Sequence, residues 1–112
     1  MLRQNKLVKI IVYVPVTHAD AVRKVLADAG AGKMGAYDSC SFSVKGTGRF
    51  RPLKGAKPFM GKTGKIEIVQ EERIETVCPR GFYKKIIKAV RKVHPYEEPA
   101  VDVYPLLNQG QI

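Results

Sequence analysis

An α+β domain with the element order βαββαβ is what this 112-residue sequence predicts, and three observations carry it. Residues 7–14 and 65–78 are rich in β-branched side chains. Residues 19–29 and 83–93 repeat apolar side chains at helical spacing instead. Each helical stretch is followed by a further strand pattern, giving strand–helix–strand twice over. That order is the split βαβ, ferredoxin-like arrangement, a four-stranded antiparallel sheet with both helices on one face.

Residues 7–14 are apolar on both parities, with Val8, Ile10, Val12 and Val14 on one and Leu7, Ile11 and Tyr13 on the other. Such a strand is central and covered on both faces. Pro15 closes it. Thr17 is the expected N-cap of the first helix, with Asp20 in its first turn. Val22, Val25, Leu26 and Ala29 form that helix's inner face, and Gly30 stops it. From Ala36 the period becomes two, so that Cys40, Phe42 and Val44 share one face and Ser39, Ser41 and Ser43 the other.

Residues 45–65 hold five Gly and two Pro among basic residues and read as a long basic loop or an extended hairpin tip. The next strand, residues 65–78, sets Ile66, Ile68, Ile74, Thr76 and Cys78 on a common parity, with a bend or bulge expected over residues 70–73. Pro79 and Gly81 lead into the second helix, whose inner face is Tyr83, Ile86, Ile87, Val90 and Val93. Pro95 ends it, and Pro99 and Pro105 bracket a short edge strand. Both helices on one side leave the other sheet face bare. A first strand apolar on both parities then asks for a cover, and self-association through the sheets supplies one.

The length suits one domain, residues 1–112. No apolar run approaches a membrane span, the basic N-terminus does not form a signal peptide, and Cys40 and Cys78 lack a CxxC spacing. The expectation is a reduced, cytoplasmic chain with no membrane partner. The formal net charge is +10, unevenly placed. Residues 39–66 contain no acid but include Lys45, Arg49, Arg51, Lys54, Lys57, Lys62 and Lys65. Residues 76–96 contain none either, and include Arg80, Lys84, Lys85, Lys88, Arg91 and Lys92. Such a field attracts phosphates, nucleic acid or an acidic partner, or simply solvates a surface.

One stretch is unusual in its chemistry: His94-Pro95-Tyr96-Glu97-Glu98-Pro99. His94 falls at the helix C-terminus, where an imidazole can bond the last carbonyls. One of Glu97 and Glu98 is expected to pair with a basic neighbour. This run resembles the His-Pro-Tyr-Glu-x-Pro signature of CutA-like proteins. It resembles still more closely the inserted domain of the Nif-three-like (YqfO-type) proteins, as do Gly30-Ala31-Gly32-Lys33, Tyr37-Asp38-Ser39-Cys40-Ser41-Phe42-Ser43 and Gly46-Thr47-Gly48-Arg49-Phe50-Arg51-Pro52. The resemblance covers about residues 6–107. It implies a freestanding PII/CutA-like domain, and for the assembly a homo-oligomer, a trimer in the CutA-like and PII-like families. The dinuclear metal centre of complete Nif-three-like proteins does not carry over, because its ligand stretches are missing and only His18 and His94 exist here.

The candidate chemistry is then a binding module for a metal ion, a small anion or a protein partner at subunit clefts. Ligand-binding candidates are Lys45, Arg49, Arg51, Lys54, Lys62, Tyr96, Glu97 and Glu98. Candidates for a divalent metal are His18, Cys40, His94 and Glu97, although no HxxxH or CxxC spacing guarantees convergence. Residues 56–63 fit a permissive Walker A pattern, but an alternating strand follows where phosphate binding needs a helix. Nucleic acid, bound through the basic loop and helix, is an alternative partner, disfavoured by the lack of Trp, of a helix-turn-helix and of an RRM-like aromatic pair on the central strands. A small enzyme using His94, Glu97 and Glu98 is a further alternative. No catalytic unit stands out, so a binding role is favoured over an enzymatic one.

Overall fold

The structure, a computed structural model, describes residues 6–107. Its sheet is antiparallel throughout, in the order β2–β3–β1–β4, with β1 at Leu7–Pro15, β2 at Phe42–Phe50, β3 at Glu67–Pro79 and β4 at Ala100–Pro105. Two helices, α1 (Ala19–Asp28) and α2 (Tyr83–Val93), pack side by side on one face. The core lies between the layers. Val8, Ile10, Val12 and Val14 of β1 meet Val22 and Leu26 of α1 and Ile86 and Val90 of α2, with Ile74 and Cys78 of β3 beside them. All are essentially solvent-free, and each aliphatic side chain contributes about 1.5–3 kcal/mol by its burial. Burial also pushes the Cys78 thiol up to about 11, which leaves it an inert core group.

The polar groups at the core margin are satisfied. Thr76 donates its hydroxyl proton to the Cys40 carbonyl (2.8 Å), and Arg23 of α1 reaches across to Glu72 on the helix-covered side of β3. That interaction, followed by the one with Asp20, raises the Arg23 pKa.

Three local expectations are corrected. Thr17 does not cap α1: a 3-10 turn, Val16–His18, precedes the helix, and the Thr17 hydroxyl bonds His18 Nδ1 instead. Residues 70–73 carry no bulge, and β3 keeps one register against both neighbours. Its polar middle marks where the strand leaves the cover of the helices. Ile66 and Ile68 share the parity of Ile74 yet are 64% and 61% exposed, because they stand past the end of the core. Finally, β2 starts only at Phe42, and Cys40 is half-buried in the segment leading to it. Of the two readings of residues 45–65, a basic loop or an extended hairpin tip, residues 45–50 follow the second: they are strand, paired with β3.

The difference in strand length shapes the molecule. Pro15 at the end of β1 pairs with Glu71, while β2 and β3 stay paired on to Phe50 and Glu67. The β2–β3 hairpin therefore projects as an arm, and the molecule measures 52 × 28 × 22 Å. On the face away from the helices, Phe42, Val44 and Tyr104 are 65%, 47% and 48% exposed. Ile11 lies on that face too, but is only 1% exposed in the single chain. The apolar surface left open thus belongs to β2 and β4, and not to the doubly apolar central strand from which it was expected.

Candidate functional site

Where β1 stops, three segments form a corner: the β2–β3 arm, the turn after α2, and the loop of residues 51–66. Between them lies a cleft of about 360 Å³. Its walls include Tyr13, Phe50, Pro52, Phe59 and Tyr96, with Arg49, Glu71, Glu97 and Glu98 as the charged groups.

The turn is fixed by His94. Its backbone N–H closes α2 on the Val90 carbonyl (2.9 Å), and its own conformation is already extended, as the following proline requires. The ring does not cap the helix. Nε2–H donates to the Tyr13 carbonyl of β1 (2.7 Å), while Nδ1 accepts the Tyr96 N–H (3.2 Å). A carbonyl can only accept and an amide N–H only donate, so the imidazole is the neutral Nε2–H tautomer with both nitrogens engaged. Burial holds its pKa below the usual histidine value, against the smaller opposing effects of the Tyr13 bond and of Glu71.

Tyr96 then points at the arm. Its hydroxyl donates to Glu71 Oε2 (2.6 Å), and its ring lies 5.0 Å from that of His94 and 5.9 Å from that of Phe50. Burial, reinforced by the Glu71 carboxylate, pushes the tyrosine pKa up, so it remains a donor. Gly48 makes room for that carboxylate: a Cβ at this position would run into Glu71. The loop is tied down at two points. The Lys57 N–H donates to Glu97 Oε1 (2.9 Å), and Phe59 meets the edge of His18 with centroids 5.5 Å apart.

Of the ligand-binding residues expected from sequence, Arg49, Tyr96, Glu97 and Glu98 come together at the cleft. Lys45, Arg51, Lys54 and Lys62 are exposed elsewhere. Glu97 meets a backbone N–H instead of the expected cation, and among the described residues no ion pair includes Glu97 or Glu98. His18, Cys40, His94 and Glu97 do not converge: among the described residues no three His, Cys, Asp or Glu gather as metal ligands, and the nitrogens of His94 are already used. Within the single chain, the four candidates thus do not form a metal site among the described residues. Sequence reasoning missed Tyr13, Phe50, Phe59 and Glu71. Gly48 inside a strand pattern was the available signal, since such a glycine marks a close approach.

Comparison with known proteins defines first a class of fold. The CutA1 structure from Shewanella sp. SIB1 superposes with a TM-score of 0.67 at 17% identity, covering 94% of this chain and 85% of that one. The Archaeoglobus fulgidus periplasmic divalent cation tolerance protein CutA gives 0.63 at 19%, over 89% and 83%. These likenesses show the fold, which is that of the CutA proteins. No family model matches the chain. In sequence the chain is similar to one segment of longer proteins of the Nif-three-like family. It is 51% identical, over 107 residues, to the GTP cyclohydrolase 1 type 2 homolog of Halalkalibacterium halodurans, covering 96% of this chain and 29% of that protein. The Bacillus cereus protein related to NIF3 matches in structure with a TM-score of 0.80 at 50% identity, over 94% of this chain and 27% of that one. The chain thus spans less than a third of the length of these relatives. Among the described residues no helix is long and apolar enough to cross a membrane.

Proposed function

We propose that the chain works as one domain in an oligomeric binding module, a homotrimer assembled over its open sheet face, and that it takes a small molecule in the corner cleft. The observation that carries this is the cleft, which joins aromatic walls to charged groups that have no ionic partner among the described residues. Its volume falls in the range of small-molecule sites. The trimer rests on the resemblance to CutA-like and PII-like proteins and on the exposed Phe42, Val44 and Tyr104.

The wall chemistry narrows the ligand. Only Arg49 of the five basic candidates reaches the cleft, against three carboxylates. A purely anionic ligand would be repelled. A flat apolar body with at least one hydrogen-bond-donating or cationic group suits Phe50, Phe59 and Tyr96 together with Glu98.

Native mass spectrometry of the intact protein tests both halves. The expected spectrum shows three chain masses and a retained small molecule that Phe59→Ala releases without changing the subunit number. A monomer at micromolar concentration would remove the assembly, and a spectrum indifferent to Phe59→Ala would remove the cleft.

A further inference from the structure

The outer face of α2 is the most strongly charged surface among the helices. At about 100° per residue, Lys84, Lys85, Lys88, Arg91 and Lys92 fall within an arc of about 120°. All five are exposed, and Ile86 and Val90 lie buried on the opposite side. The contrast with α1 is direct. There, Arg23 pairs with Asp20 (2.6 Å) and Lys24 with Asp28 (2.8 Å). Among the described residues no ion pair includes any of the five cations of α2.

Helix stability does not account for the pattern. Arg91 and Lys92 sit in the last turn, where cations complement the helix dipole. Lys84 and Lys85 sit in the first turn, where cations oppose it and where α2 has no acid. The face also points away from the open side of the sheet, so assembly through that side leaves it accessible.

We infer that the outer face of α2 binds the phosphate backbone of a nucleic-acid duplex, without reading its sequence. Three features select this polyanion. A membrane-surface helix needs an apolar face to insert, and that of α2 is consumed by the core; Phe82, at its start, is a single ring, 40% exposed, with Lys85 Nζ 4.3 Å from its centre. Protein interfaces are built around aromatic and Arg anchors and are depleted in Lys, the reverse of this composition. Single strands are held by stacking on successive exposed rings; the arc of the five cations holds none, and Phe82 beside it is a lone one. A helix of 11 residues is about 16 Å long and would run beside about five base pairs.

The test is fluorescence anisotropy of a labelled 30-base-pair DNA duplex of random sequence, titrated with the intact protein at several salt concentrations. Two variants carry the same change in net charge. Lys84→Glu/Lys85→Glu/Lys88→Glu is expected to weaken binding at least tenfold and to lower the log–log salt slope by about 2.7, roughly 0.9 for each phosphate that the helix no longer neutralises. Arg51→Glu/Lys54→Glu/Lys62→Glu, on the loop, is expected to keep most of the affinity. If the helix reversals alter the subunit number or the circular dichroism, the corresponding Lys→Gln triple decides in their place. Equal losses in both sets would show an effect of net charge alone and overturn the assignment. Unchanged binding by the helix variant, or binding of phosphatidylserine vesicles in preference to the duplex, would overturn it equally.

Discussion

His94 acts as a neutral ring between two strictly complementary partners, a carbonyl and an amide N–H. Protonating Nδ1 forfeits the Tyr96 bond, which agrees with a folded pKa held below the unfolded value of about 6.5. The stability this ring contributes is therefore complete above about pH 6.5 and falls as the pH drops through the folded pKa. His94→Ala should cost about 1–3 kcal/mol, because it orphans the Tyr13 carbonyl, and should remove this part of the acid sensitivity. Chemical denaturation between about pH 7 and 5 reads both. Gly48 offers a second residue-level test. Gly48→Ala drives a methyl into Glu71 and should lower the melting temperature, whereas Gly46→Ala, with nothing within 4 Å of the added carbon, should not. Equal melting temperatures for the two variants would mean that the Glu71 carboxylate is free to move aside.

At the scale of elements, β3 carries two kinds of isoleucine on one parity. Ile74 is fully buried beneath the helices, whereas Ile66, just before the strand, and Ile68 are exposed beside the arm. Ile74→Ala should cost about 2–5 kcal/mol. Ile68→Thr should stay within about 0.5 kcal/mol in urea unfolding, as a surface substitution does. A large loss from Ile68→Thr would mean that the arm is buried in the assembled protein.

For the whole molecule, the open sheet face is the feature with the widest consequence. Phe42→Glu/Val44→Glu places charges on its most exposed apolar strand, β2, and leaves the helix-side core untouched. The expected result, by light scattering, is a smaller assembly with unchanged secondary structure. A variant that assembles as the parent does would move the interface off this face.

Elements whose signals are local were legible in the residues themselves. The parity of β1, the 3.6-residue period of both helices, Gly30 at the end of the first helix and the proline brackets of β4 all announced their places, because each depends on backbone preference and on one covered face. The resemblance carried by residues 30–33, 37–43, 46–52 and 94–99 pointed correctly to the longer relatives. The site was legible only in part. Tyr96, Glu97 and Arg49 stood out by type, but the cleft needs β1 to end while the β2–β3 hairpin continues, and strand pairing lengths are long-range quantities. The role of His94 shows the same division. Its position at the end of α2 follows from Pro95, one residue on, but its partner is Tyr13, 81 residues away. Whether an imidazole caps its own helix or ties that helix to a strand is decided only when the helix packs on the sheet and brings that carbonyl within reach.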